Sequence, residues 1–413
     1  MRILLIAYYF PPLGMGGTQR LAKWCKYFLQ DGWTPTVITV KQIAYYAYDE
    51  TLLEDLSGVE VIRTESLDPA RLLFRWRGAP AGTAHAGKRK WISWFFVPDS
   101  RILWLPFAVQ NAVRSLRRHK YQAIVTSGPP HSSHFVGWLA KKIFGITWLA
   151  DFRDSWAGGD VQPEPTPVHR QLNLIMQKFI LRRADVVTTV SPQLIDELKA
   201  YGQSPKVAPQ LVPNGYDPED FAATPAVEKI FSVALCGSVT HIANPQTLIE
   251  GFRVFIEMGQ LTSNQARLRL VGADLLGKVS SWVADNRLAP FVEIIGYVPH
   301  AQAVAAMQQA AVLVYVAAPG TSIVTVGGKI YEYLAARRPV LCIGEHVEGI
   351  KLLMRYSRTR VCSYHAINEI AHALLEFYRE FSSGEMPPAP PAPEEFSRRF
   401  QARQVQALLT RNE

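Results

Sequence analysis

The chain has 413 residues, 48% of them apolar, and a mean hydropathy of +0.01. That is too long for one ordinary core, comfortable for two α/β domains, and incompatible with a disordered chain. The net charge is +9, and four scattered cysteines (Cys25, Cys236, Cys342, Cys362) form no C-x-x-C pair, which argues for a reducing compartment and against a disulfide or zinc framework.

The first residues, MRILLIAYYFPP, mimic a short signal peptide. The apolar run stops at Pro11-Pro12 without a small-residue cleavage site, so it reads as a buried strand over residues 3–8. No stretch reaches the roughly 18 uninterrupted apolar residues of a membrane span. Short apolar runs then alternate with amphipathic stretches, the pattern of β-α-β units around a parallel sheet. Strands are predicted at 36–40, 59–64, 123–127, 147–150 and 186–190, with helices at 19–30, 134–144 and 192–201.

Residues 213–228 (PNGYDPEDFAATPAVE) are turn-rich and read as a linker after an N-terminal domain of 1–212. The alternation restarts with strands at 232–236, 268–271, 292–295, 312–316 and 340–343. Helices are predicted from Asn244-Pro245 onward, where Asn is the N-cap and Pro the first helical residue, and at 275–286, 301–310, 329–336 and 369–381. This C-terminal domain runs over 229–386. Residues 387–413 form a proline-rich spacer, PPAPPAP, and a last helix that is expected to pack back on the N-terminal domain. Two parallel-sheet domains place a cleft where the carboxyl ends of both sheets face each other, with ligand sites in the loops just after strands.

The charge is uneven. Between Arg71 and Lys120 stand eleven Lys/Arg against one acid, Asp99, so this segment alone carries +10. It also holds Trp76, Trp91, Trp94 and Trp104 around a small-residue loop at 79–87. Cations interleaved with tryptophans suit an anionic membrane surface or a phosphate-bearing lipid; the plainer alternative is a solvated basic face over core tryptophans. No nucleic-acid motif accompanies the charge, so no nucleic-acid partner is expected.

Several loops carry candidate chemistry. The first strand leads into Gly14-Met15-Gly16-Gly17-Thr18-Gln19-Arg20 and a helix, where backbone N–H groups can approach an anion, though a tight turn would also use these glycines. A dinucleotide fingerprint would need Gly at position 19, which is Gln19; a nicotinamide or flavin cofactor is disfavoured. The run Asp151-Phe152-Arg153-Asp154-Ser155-Trp156 follows a buried strand. Either an Arg–Asp pair holds this loop, or Asp151, Arg153 and Asp154 contact sugar hydroxyls or an acceptor. His131, after the preceding strand, is a candidate for positioning an acceptor hydroxyl. In the second half Gly237-Ser238 follows a strand, and Gly327-Gly328 opens a helix carrying Lys329 and Glu332 on one face. A cation beside a carboxylate there fits a diphosphate and a ribose, with a surface ion pair as the alternative.

Together these residues resemble glycosyltransferase family 4, retaining sugar transferases of the GT-B fold. The resemblance is carried by Gly16-Gly17, DFRDSW at 151–156, VSPQL at 190–194 and VPNGYD at 212–217. GYVPHAQAVAAMQQAAVLV at 296–314 and YEYLAARRPVL at 331–341 complete the series. It implies two Rossmann-like domains facing each other across a cleft, a nucleotide-sugar substrate and no cofactor or metal. The acceptor would be a glycan, a lipid-linked sugar or a small molecule. The family's two donor-site glutamates stand eight positions apart; Glu332 matches the second, which binds the ribose, while the first falls at Val324. The glycine usual before x-P-V is Arg337. The family's phosphate-binding Arg and Lys are missing, since their places read Gly237-Ser238 and Ala243-Asn244. Lys329 is therefore the candidate catalytic cation, with Arg20 and Arg253 next.

The donor set is then Gly16, Gly17, Gly237, Ser238, Gly327, Gly328, Lys329 and Glu332. Arg20, Trp91 and Trp94 are the acceptor-side candidates. The expected setting is the cytoplasm, with peripheral contact to the inner membrane face. Two other classes stay open: a GT-B nucleotide-sugar epimerase, and a non-catalytic sugar-binding or scaffold partner.

Overall fold

The computed structural model describes residues 1–14, 16–45, 47–78, 94–157, 164–202, 207–223, 225–319, 326–345, 347–387 and 389–410. They form two units. One comprises Met1–Asn214 with Val324–Val326 and Arg398–Glu413; the other comprises Gly215–Ile323 and Gly327–Ser397.

The first unit is built on a parallel sheet: β1 (Arg2–Ile6), β2 (Thr34–Val40), β3 (Glu60–Thr64), β4 (Ala123–Gly128), β5 (Thr147–Phe152), β6 (Val186–Thr189) and β7 (Gln210–Leu211). Their order is β3-β2-β1-β4-β5-β6-β7. The strands read as continuous apolar runs because both faces are covered. In and just after β1, Leu4, Ile6 and Tyr8 enter one core while Ile3, Leu5 and Ala7 enter the other. α1 (Gly16–Gln30) covers the second of these. The first is covered by α2 (Pro69–Arg77), α3 (Leu105–Arg118), α4 (Ser133–Phe144), α5 (Pro167–Leu181) and α6 (Pro192–Gly202).

The second unit repeats the plan with β8 (Phe231–Cys236), β9 (Ala266–Val271), β10 (Val292–Gly296), β11 (Val312–Ala317), β12 (Val340–Gly344) and β13 (Thr359–Cys362). Their order is β10-β9-β8-β11-β12-β13. One face packs under α7 (Gln246–Gly259), α8 (Val279–Asp285) and α12 (Ile367–Ser383). α9 (His300–Gln309), α10 (Gly328–Ala336) and α11 (Glu348–Tyr356) complete the unit. The terminal helix α13 (Arg398–Thr410) belongs to the first unit, where Ala402, Val405 and Leu409 join Leu21, Cys25 and Phe28 of α1 in one core. Each such fully buried large aliphatic side chain contributes about 1.5–3 kcal/mol.

The structure departs from the sequence reading at several elements. β7, β13, α2, α3, α5 and α11 were not predicted. α3 buries mainly small residues, Ala108, Ala112 and Ser115. Helix is absent over residues 275–278 because the Asp274 carboxylate takes the N–H groups of Leu276, Gly277 and Val279, closing a turn instead. α7 starts one residue later than expected: Pro245 is its cap, and Asn244 Oδ1 accepts from Gln246 N–H at 3.0 Å.

Both sheets reverse strand order beside their first strand, between β1 and β4 in one and between β8 and β11 in the other. Crevices at such reversals, beyond the strands' carboxyl ends, are where open α/β sheets hold ligands.

Candidate active site

At the reversal of the first unit, Arg20 reaches down from α1 to the end of β5. Its Nε and Nη2 donate to the two Asp151 oxygens at 3.1 and 2.8 Å. Its remaining bonds go to the carbonyls of Pro213 (2.7 Å) and Val212 (2.8 Å), and its guanidinium lies over the Trp24 ring. Asp151 also accepts from Ser127 and Thr188, each at 2.8 Å. Burial pushes the Asp151 pKa up, but Arg20 and these donors outweigh it and hold the group below its usual range. Both side chains are fully buried, so Arg20 is not an acceptor contact and Asp151 touches no sugar; together they pin α1 to the sheet.

Arg153 is likewise committed. Its guanidinium donates to the carbonyls of Gly17, Gly128 and Pro129, tying three loops together. A methyl group on Gly17 would lie 2.9 Å from Arg153 Nη1, so glycine is what lets the guanidinium close on this turn, whereas Gly16 faces open space. Asp154 is half-buried beside it.

His131 is 7% exposed and stacks flat on Trp156, with ring centroids 4.9 Å apart. His134 lies next to it, bonded through Nδ1 to Thr126 at 2.9 Å. Burial drives the His131 pKa well below its usual value, with His134 and Arg153 adding to the shift; burial, then Arg153, drives His134 down to about 3. Both are neutral imidazoles at physiological pH.

The basic segment also resolves into parts. Arg71 pairs with Glu65 and the Gln42 carbonyl, Arg101 with Asp68 and Tyr9, and buried Trp104 donates to Thr64. These partners lie outside residues 71–120, which is why counting charge within the segment overstated its free cations. Trp76 and Trp94 are exposed, Trp94 lying against His169 of α5. Trp91 and the loop at 79–87 lie outside the described residues, as does Val324.

At the reversal of the second unit, β8 leads into Gly237 and α10 begins at Gly328. Tyr333 Oη locks these elements: it accepts from Cys236 N–H at 3.0 Å and donates to the Val314 carbonyl at 3.0 Å. Gly237 has φ +130°, a left-handed conformation that side chains rarely adopt, and a methyl built there would sit 1.7 Å from Lys329 Nζ. The ammonium therefore lies directly over the Gly237 backbone, with half-buried Ser238 next in the chain. Burial lowers the Lys329 pKa, opposed by the nearby Cys236 and Glu332. Among the described residues, no side chain caps the α10 N-terminus at Gly327. Glu332 is 12% exposed, and His300 Nδ1 stands 4.0 Å from its carboxylate while His300 Nε2 is 3.1 Å from Asp220. His300 was not singled out in the sequence, although it closes the GYVPH run. Arg253, the alternative cation, pairs with Glu257 on the surface of α7.

Each unit is thus a Rossmann-like half with loop residues gathered at its strand reversal, and residues 15–215 match the family model of the glycosyl transferase 4-like domain. The chain is a glycosyltransferase whose N-terminal half is of the glycosyl transferase 4-like type. Its GT-B fold is shared by a glycosyltransferase from Rickettsia africae ESF-5, at 12% identity and a TM-score of 0.63 over 100% of this chain and 96% of that one. A sucrose-phosphate synthase from Thermosynechococcus elongatus is similar at 17% identity and 0.61, covering 100% and 97%. WaaG, a glycosyltransferase involved in lipopolysaccharide biosynthesis, is similar at 13% and 0.61, covering 98% and 99%. Comparison with curated proteins finds no match. No helix of this glycosyltransferase, among the described residues, is long and apolar enough to cross a membrane.

Proposed function

We propose that this glycosyltransferase binds a nucleotide-activated hexose at the loops after β8 and β11. It passes the sugar to a lipid-linked or otherwise membrane-borne glycan at the cytoplasmic face of a membrane. The observation that carries the donor half is the seat of Lys329 over Gly237. The chain lacks the family's cations after its first C-terminal strand, and Lys329 brings an ammonium to that same strand end from α10. There it and the uncapped N-terminus of α10 suit a diphosphate, while Glu332 one turn on suits the paired hydroxyls of a ribose.

The chemistry follows from that placement. As the bond from the sugar's anomeric carbon to the diphosphate oxygen breaks, negative charge grows on the diphosphate, where a fixed cation is most effective. The acceptor hydroxyl forms the new bond, and its proton passes to the departing phosphate oxygen. Attack on the face from which the diphosphate leaves gives retention. No step calls on a cofactor or a resident metal.

A thermal-shift screen over nucleotide sugars tests the reading, because a ligand that binds the folded state raises its melting temperature by mass action. One donor should stabilise the protein, and slow release of its sugar should accompany it. Glu332→Ala should weaken that donor's nucleotide about tenfold by calorimetry, the cost of a charge-assisted hydrogen bond. No stabilising donor, or unchanged affinity in the variant, would overturn the assignment; an isomerised donor would mark an epimerase.

A further inference from the structure

The helices on one face of the first sheet have an unusual charge pattern. α3 packs on α4 and α4 on α5, and all three cover the same core. They contain seven Lys/Arg and no Asp or Glu. The opposite face differs in kind: the α1 lysines Lys23 and Lys26 both pair with Asp55, and Arg403 of α13 lies near Asp31. In the α3–α5 layer Lys141 pairs with Asp185. Arg114, Arg117 and Arg118 are exposed around a hollow at the end of α3 and meet no carboxylate among the described residues. Lys142 and Arg170 are exposed on α4 and α5.

The same layer bares apolar side chains in register. Val168, Leu172 and Ile175 of α5 are 66%, 42% and 55% exposed, at the i, i+4, i+7 spacing that puts them on one stripe. Trp94, 56% exposed, stands beside this helix through His169. A solvated basic face explains the arginines but not an exposed aliphatic stripe, and a protein partner's groove would explain the stripe but not the lack of any acid. Cations without acids beside an apolar helical stripe and a tryptophan are complementary to an anionic lipid surface.

We propose that the outer side of the α3–α4–α5 layer is where the enzyme lies against an anionic bilayer. The aliphatic stripe of α5 would sit at the headgroup boundary and the α3 arginines on lipid phosphates. This rests on the reading of a membrane-borne acceptor and shifts the cationic contact from Arg71 and Arg101, which are spent internally, to the arginines of α3, with Trp94 kept at the rim. Docking through this layer would present the loops after β1 and β4, at the carboxyl end of the same sheet, to a lipid-linked substrate without the chain crossing the membrane.

The test is co-sedimentation of the full chain with vesicles of phosphatidylcholine, alone or mixed with phosphatidylglycerol, at low and high salt. Wild type should pellet with the anionic vesicles and be released by salt, because exposed charges are screened over about 8 Å at physiological ionic strength. The charge-reversed R114E/R117E/R118E variant should lose more than about tenfold in vesicle affinity, and L172E/I175E should lose affinity even at low salt. Arg75→Glu, outside the layer, should bind vesicles as wild type does. Wild type that stays in the supernatant overturns the proposal. So does a triple variant that binds as tightly as wild type, or one that loses a soluble phosphorylated glycan together with the vesicles. Melting temperature and nucleotide affinity, measured on each variant, separate this failure from misfolding and from failure of the donor-site reading.

Discussion

Arg20 with Asp151 in the first unit, and Lys329 with Glu332 in the second, set the same kinds of charge beside the same kind of strand reversal, to opposite ends. The first pair is sealed. Each Asp151 oxygen accepts two hydrogen bonds, and neither side chain is exposed. The second pair is open: Lys329 rests over a glycine backbone, and His300 Nδ1 stands 4.0 Å from the Glu332 carboxylate. A buried pair whose valences are all spent can only hold the fold together. A pair that keeps donors and acceptors unspent among the described residues has something left for a ligand, and this difference is why we propose stability for one and chemistry for the other.

The largest effect expected from this contrast is on folding. Asp151→Ala leaves the Arg20 guanidinium buried without its carboxylate, and breaking such a pair costs about 3–5 kcal/mol. The urea midpoint should fall accordingly. If stability held while only transfer was lost, Asp151 would have to be reclassified as a substrate contact, and the contrast would collapse. Lys329→Ala should behave in reverse. Loss of a fixed cation at a leaving group costs on the order of a hundredfold in turnover, with little change in the unfolding midpoint. Retained turnover in Lys329→Ala would move the phosphate cation elsewhere.

How much of this could be read beforehand depends on what each signal consists of. The strands were visible because burial on both faces writes them as unbroken apolar runs such as VLVYVA. α2, α3 and α5 were missed where small or polar residues take buried positions: Ala70 and Arg71 in α2, Ala108, Ala112 and Ser115 in α3, Asn173 and Gln177 in α5. The sequence could show that Asp151 and Arg153 stand just past a buried strand. Their fate was invisible in it, because the partner of Asp151 is 131 residues away in Arg20 and the partners of Arg153 are carbonyls, which no residue name reveals. Lys329 was legible for a different reason: it lies three residues before Glu332 on a helix whose start two glycines mark. Its contact with Gly237 needed the topology, since only the β8-β11 reversal brings those loops together.

Burial in the first unit extends to His131 and His134, and pH exposes it. Their pKa values are depressed by burial, that of His134 to about 3 against an ordinary value near 6.5. A group depressed on folding supports the native state fully above its unfolded pKa and loses that support as pH falls toward the folded one. Between pH 6.5 and 3 the unfolded chain takes up protons that the native imidazoles refuse. At pH 5 His134 alone should cost about 2 kcal/mol relative to pH 7, at 1.36 kcal/mol per unit. His134→Gln should flatten that part of the stability profile, measured by urea unfolding at each pH. An unchanged acid slope in the variant would show that carboxylates such as Asp151 dominate instead.

The smallest expected effect sharpens the contrast from the side of the second unit. α10, which carries both Lys329 and Glu332, ends in Arg337 with φ +54°, a left-handed position at the helix terminus. Glycine takes this conformation freely, whereas a residue with a β-carbon pays roughly 1–2 kcal/mol for it. The resemblance had marked 337 as a place where glycine is usual, and the backbone supplies the physical reason. Arg337→Gly relieves the strain but gives up a weak bond from Nε to the Ala389 carbonyl at 3.4 Å and adds unfolded-state freedom. The balance should be a gain of up to about 1 kcal/mol, read as a shift in the urea midpoint. Turnover and nucleotide affinity should not change, since the substitution lies at the far end of the helix from Lys329. A variant that became more stable and lost nucleotide affinity together would show that the open pair depends on strain in its own helix, so that stability and chemistry are not separable in this unit.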